Sequence, residues 1–190
     1  MNKGHLEVIC GPMYATKTQE LINRIRRANY ANQTAIVFKP RIDNRYDEND
    51  IVSHDGLKEK AHPIKNPVSA LNIYDEYGPF DIVAFDEAQF FDIRILDVVN
   101  EFINIGVRVI VAGLDQDFRG CGFNSMPELL ARCKYFVKLT AVCVKCGQDA
   151  TMTQRLIDGK PAPLEGDIIM VGGKDSYEAR CSECWEEGVG

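Results

Sequence analysis

Four short, almost uninterrupted apolar runs limit most strongly how this chain can fold: "LEVIC" at 6–10, "TAIVFK" at 34–39, "DIVAF" at 81–85 and "VRVIVAG" at 107–113. Strands that read this way are covered on both faces, as in a parallel sheet. Segments with helical spacing lie between them. In 17–30, Leu21, Ile22, Ile25 and Ala28 recur on one side, while Arg24, Arg26 and Arg27 fall elsewhere. In 92–105 the rhythm is Ile93, Leu96, Val99 or Asn100, and Ile103. Alternation of strand and helix predicts an α/β domain with a mainly parallel sheet.

Two regions break that rhythm. Residues 40–60 are polar and rich in turn formers, which predicts a long mobile loop; loops of that length are usually functional. From about Cys143 the chain changes to short runs, glycines and CxxC pairs. The expected division is therefore 1–140 and 141–190, the second part being a small separate domain. Within it, "QRLIDGKPAPL" carries an Asp-Gly turn signal and "DIIMVGG" a short strand.

The seven cysteines need an explanation. The N-terminus lacks the apolar core of a signal peptide, and no run reaches the roughly 18 apolar residues of a membrane span. A cytoplasmic location with reduced thiols or metal ligands is the expectation. Cys143-x-x-Cys146 and Cys181-x-x-Cys184 can close a tetrahedral four-sulfur site, which suits structural Zn²⁺ and leaves no position open for catalysis. A redox CxxC would explain one pair only. Cys10, Cys121 and Cys133 read as packing residues, and His5, His54 and His62 form no ligand spacing. The net charge of −6 argues against a general nucleic-acid binder.

Strand, Gly11, four residues, Thr16-Lys17-Thr18 and then a helix form the context of a phosphate-binding loop. Such a loop aims backbone N–H groups and a helix N-terminus at phosphates. Lys17 would reach the β- and γ-phosphates and the Thr18 hydroxyl would ligate Mg²⁺. A plain strand-to-helix turn is the competing reading of this stretch alone, because the pattern G-x-x-x-x-G-K-[ST] has Thr16 in place of its second glycine. "DIVAFDEAQFF" then puts Asp86 and Glu87 at the end of a buried strand. One carboxylate there can hold Mg²⁺ and its neighbour can act as a base.

With these residues in place, the chain resembles the cellular, or type II, thymidine kinases along nearly its whole length. The resemblance is carried by "GPMY..KT.EL", "KPRIDNRY", "SHDG", "DEAQFF", "LDQDF", "KLTAVCVKCG", "TQRL" and "VGGKDSYEARCSEC". It implies a RecA-like P-loop domain joined to a zinc-bearing domain, whose lasso loop, here roughly 150–176, closes over the nucleoside. It also implies a transferase that uses ATP and Mg²⁺, forms homotetramers and is inhibited by the end product dTTP; the acidic charge and the lack of a long apolar run lead us to expect no nucleic-acid or membrane partner.

By resemblance, Glu87 is the base that takes the proton of the thymidine 5′-hydroxyl. Lys17, Thr18 and Asp86 bind phosphate and Mg²⁺, and Asp43 and Arg45 lie near the phosphates, Asp43 on the metal side and Arg45 on the transferred group. Gly11 through Thr18 and Asp86 through Gln89, including Pro12, Tyr14, Ala15 and Ala88, contact ATP. Met13, Phe90, Leu114, Phe118, Thr153 and Tyr177 surround thymine, with the backbone of Val171 and Gly172 on the pyrimidine edge.

The chain departs from the family at Thr16. If position 16 needs φ > 0, a β-branched residue there costs on the order of 1–2 kcal/mol. The expectation is weaker Mg-ATP binding, relieved by Thr16→Gly. Two other readings are a nucleotide-binding paralogue with little turnover and a RecA-like ATPase whose zinc knuckle grips DNA. The acidic balance opposes the latter.

Overall fold

A computed structural model describes residues 4–41, 50–52, 58–165, 167–168 and 175–188. In chain order its elements are β1 (His5–Cys10), α1 (Lys17–Tyr30), β2 (Ala35–Pro40), β3 (Asp50–Val52), β4 (Lys58–Lys60), β5 (His62–Ile64), α2 (Ser69–Tyr77), β6 (Ile82–Phe85), α3 (Ile95–Asn104), β7 (Arg108–Gly113), α4 (Met126–Arg132) and β8 (Tyr135–Lys138). After these come β9 (Ala141–Val142), β10 (Asp149–Ala150), β11 (Met152–Ile157), β12 (Lys160–Pro161) and β13 (Asp175–Arg180).

Six strands form one sheet in the order β5-β2-β6-β7-β1-β8, and every neighbouring pair is parallel. The expected mainly parallel sheet is thus present, and the four apolar runs are its four central strands. Their side chains alternate between two cores, as the two-residue period of a strand requires. Ile9, Val37, Ala84, Ile110 and Ala112 meet Leu21, Ile22, Ile25 and Ala28 of α1 on one face. Leu6, Val8, Phe38, Phe85, Val109 and Val111 meet α3, α4 and Ala70 of α2 on the other.

The α1 face is the one expected from sequence, and so is the α3 face except at Ile93: Leu96 and Val99 are buried and Ile103 packs against the same core. Ile93 is 66% exposed, and the buried positions are Ile95, Leu96, Val98, Val99 and Phe102. The cause is a local turn: the Asp92 carboxylate accepts the Arg94 N–H at 3.0 Å, and the Asp92 carbonyl accepts the Ile95 N–H at 3.1 Å. Ile93 belongs to that turn and not to the helix. The long loop expected over 40–60 is also corrected in part, since Asp50–Val52 and Lys58–Lys60 pair as an antiparallel ribbon. Residues 42–49 and 53–57, with His54, lie outside the described residues, as does most of "DIIMVGG". Cys10 is buried, as a packing residue should be, but Cys121 is exposed in the turn that follows β7, with its N–H donated to the Asp117 carboxylate at 3.2 Å.

One buried carboxylate locks α1 to the sheet. Glu7 on β1 accepts hydrogen bonds from Arg24 of α1 at 2.7 Å and from Arg108 of β7 at 2.6 and 3.1 Å, with His5 3.1 Å away. Burial pushes the Glu7 pKa up, but the hydrogen bonds and charges of Arg108, His5 and Arg24 outweigh it and hold the group below its ordinary 4.5. A depressed carboxylate stabilises the fold above its unfolded pKa, and that stabilisation is lost as pH falls through the folded value. Glu7→Gln is therefore expected to cost about 1–3 kcal/mol at pH 7. Urea unfolding of the variant should also show a flatter dependence on pH below 4.5 than the parent.

The C-terminal part is built on two short hairpins and the cysteine pairs. β9 and β10 pair antiparallel, and β11 pairs antiparallel with both β12 and β13. The expected Asp-Gly turn joins β11 to β12: Asp158 and Gly159 both have positive φ, 49° and 79°, as a tight two-residue hairpin demands.

Candidate active site

In a parallel sheet the loops at the C-terminal strand ends are where ligands bind. The loop after β1 and the residues after β6 meet at that edge, on either side of β7. Gly11 leaves β1 with φ 141°, and a Cβ there would collide with the Leu139 carbonyl oxygen, so only glycine fits. The chain then passes through left-handed turns at Tyr14 (φ 66°) and Thr16 (φ 56°, ψ 28°) before α1 starts at Lys17. Thr16 therefore does occupy the conformation that favours glycine. Alternating hand of this kind turns successive N–H groups to one side, which is the geometry of an anion cradle.

The Thr18 hydroxyl donates to the Asp86 carboxylate at 2.9 Å. This bond joins the loop to the end of β6 across 68 residues of sequence. The Lys17 ammonium donates to the Pro12 carbonyl at 2.6 Å and so folds back over its own loop. Burial lowers its pKa to about 8 against the pull of Asp86, Asp115 and Glu87. Asp86 is buried and its pKa is raised by desolvation, opposed by Thr18, by the Glu87 N–H, and by Lys17 and Lys39.

Glu87 begins a short 3₁₀ turn, Ala88–Phe90, from a left-handed conformation of its own, φ 50°. Strained φ of this kind clusters at functional positions. Although Glu87 reaches solvent, protein atoms crowd its carboxyl. That desolvation, with negative Asp86 beside it, pushes its pKa up to about 7, opposed by Lys39 and Lys17. A carboxylate poised there can accept a proton near neutral pH.

The other expected site residues divide in two. Ala88 is fully buried in the core, and Gln89 is held by the Leu114 N–H at 3.0 Å and the Asn124 amide at 2.6 Å, so both support the turn from within. Phe90 packs edge-on against Phe123, with ring centroids 5.8 Å apart. Phe118 is buried under the Arg155 guanidinium, 5.1 Å from its ring, and its carbonyl accepts the Trp185 indole N–H at 3.2 Å. Thr153 and Tyr177 meet the phosphate loop: the Thr153 hydroxyl accepts the Met13 N–H at 3.1 Å, and the Tyr177 carbonyl accepts the Tyr14 hydroxyl at 3.1 Å. Asp43, Arg45, Val171 and Gly172 lie outside the described residues. Lys39 escaped the sequence reading, although "KPRIDNRY" contains it; it sits on β2 beside β6 and acts on both Asp86 and Glu87.

The four cysteines of the two CxxC pairs come together, with all sulfur atoms within 4.8 Å of one another. Cys146 Sγ and Cys181 Sγ are 3.6 Å apart. A tetrahedral zinc with bonds of about 2.3 Å needs sulfur edges of about 3.8 Å, so the donor set fits the ion. Backbone N–H groups of Cys181, Cys146 and Lys145 lower the Cys143 thiol pKa, while hydrogen bonds among the neighbouring thiols raise those of Cys146 and Cys184. The long gap between the pairs is filled by the β11–β13 sheet. Among the described residues no helix is long and apolar enough to cross a membrane. A left-handed loop bonded to a strand-end Asp-Glu pair, with a cysteine cluster beside it, agrees with the family match, which spans residues 4–185: the chain belongs to the thymidine kinase family of enzymes, which phosphorylate thymidine with ATP in nucleoside salvage.

Proposed function

We propose that this chain belongs to the cellular, type II branch of the family and transfers the γ-phosphate of ATP to the 5′-hydroxyl of thymidine, and of deoxyuridine, to give the 5′-monophosphate. The observation that carries this is the Thr18–Asp86 hydrogen bond, which sets Lys17 and Glu87 at one strand edge. In this reading Glu87 takes the hydroxyl proton as the oxygen attacks phosphorus. Lys17 leaves Pro12 for the phosphates, and the N–H groups of the 11–18 loop hold the leaving diphosphate. Positioning and charge neutralisation supply most of the catalysis in such transfers. The Thr18 hydroxyl and Asp86 carboxylate are hard oxygen donors that suit Mg²⁺, which neutralises phosphate charge when bound.

Phe90, Leu114, Phe118, Thr153, Tyr177 and Met13 would surround thymine. Asp43 and Arg45 by the phosphates, and Val171 and Gly172 at the pyrimidine edge, enter from resemblance alone. So do the homotetramer and inhibition by dTTP, whereas the cytoplasmic setting and the division of the chain at 140/141 rest on the sequence pattern.

Left-handed Thr16 favours one second reading, a paralogue that binds nucleotide with weak turnover. Purified protein with ATP, Mg²⁺ and thymidine separates the two: formation of dTMP and ADP in equal amounts is expected, whereas nucleotide binding without product would establish the second.

A further inference from the structure

Three consecutive residues of the phosphate loop are each held by the C-terminal part of the chain, and each by a different kind of contact. The Met13 N–H is donated to the Thr153 hydroxyl on β11 at 3.1 Å. The Tyr14 hydroxyl is donated to the Tyr177 carbonyl on β13 at 3.1 Å. The Ala15 side chain, 1% exposed, is part of the small core formed by Ala141, Cys143, Ala150, Ala179 and Cys181. These three anchors include the left-handed residue Tyr14 and end directly before left-handed Thr16. A residue in that conformation persists only where its surroundings over-determine it. To α1 Thr16 gives its carbonyl, which accepts the Glu20 N–H at 3.1 Å, but no side-chain cap.

We propose that the small domain is the brace of the phosphate loop, with Thr153 and Tyr14 as positioning residues that hold the Thr16 turn in the shape that receives ATP. The inference rests on the reading of residues 11–18 as the phosphate cradle. It moves the cost of Thr16 from nucleotide binding, where the sequence places it, to folding. With the anchors intact the competent loop is the populated one, so replacing Thr16 recovers little affinity; with an anchor removed, the strained turn relaxes and affinity falls.

The test uses the full-length protein with no nucleoside present. Hydrogen exchange of the 11–18 segment is measured without nucleotide, and affinity for Mg-ATP is measured by calorimetry. Thr153→Val leaves the Met13 N–H without its partner and is expected to speed exchange and to weaken Mg-ATP about tenfold. Tyr14→Phe should do the same to a smaller degree. Thr16→Gly alone should change affinity less than about twofold, and added to Thr153→Val it should restore most of what that change lost. Unchanged exchange in both anchor variants overturns the brace, whatever the nucleotide result. So does a double variant as weak as Thr153→Val alone. Faster exchange in the anchor variants, together with a parent protein that does not bind Mg-ATP, would overturn the phosphate-cradle reading and leave the brace only as a structural contact.

Discussion

Glu87→Gln is expected to lower the turnover of thymidine by about 10²–10⁴-fold, the usual contribution of a general base, while leaving affinity for Mg-ATP nearly unchanged. The amide keeps the size of the side chain and loses only the ability to take a proton. The pH dependence gives the sharper result. The Glu87 pKa is raised to about 7, so the competent carboxylate accumulates as pH rises through that value. The Lys17 pKa is lowered to about 8, so the cation proposed to hold phosphate is lost above it. Plots of kcat/KM, which report the free enzyme, should therefore form a bell with limbs near 7 and 8, and the residual activity of Glu87→Gln should lack the acid limb. A variant that retains full turnover, or an unchanged acid limb, would assign the base elsewhere.

Removing zinc is expected to have the largest effect on the fold. Structural zinc sites contribute on the order of 10–16 kcal/mol in small domains, and here four cysteine sulfurs are gathered closely enough to hold such an ion. The protein should contain one zinc per chain, and Cys181→Ser should lose it. The sole tryptophan, Trp185, follows Cys184 directly and donates its indole N–H to Phe118. Chelation should therefore shift its emission to the red as that contact breaks. Because Ala15 packs against the same cysteines, Mg-ATP affinity should fall in parallel. Cys121→Ser, at an exposed cysteine outside the cluster, should change neither metal content nor emission. Full metal retention in Cys181→Ser, or a metal-free protein with unaltered Trp185 emission, would contradict the structural role.

Strongly patterned parts of this fold were readable in advance. The four central strands could be read because burial on both faces leaves continuous apolar runs, and α1 because Leu21, Ile22, Ile25 and Ala28 keep one helical stripe. β5 and β8 were missed because they are sheet edges of three and four residues; β8 reads Tyr-Phe-Val-Lys, yet Tyr135 and Phe136 are more than half exposed. In α3, Leu96, Val99 and Ile103 lie on the expected face; Ile93 alone does not, because the Asp92 turn starts the helix past it.

The sequence by itself determined the chemistry on offer: a lysine and threonine at a helix start, an Asp-Glu pair at a strand end, and two CxxC pairs, because local spacing fixes which side chains a strand end or turn can present. Tertiary structure alone decided how these meet. The Thr18–Asp86, Met13–Thr153 and Tyr14–Tyr177 bonds span 68, 140 and 163 residues, distances over which no periodicity carries information. Whether a β-branched residue at position 16 can hold a glycine's conformation depends on those distant partners, and the residues around it in sequence do not contain the answer.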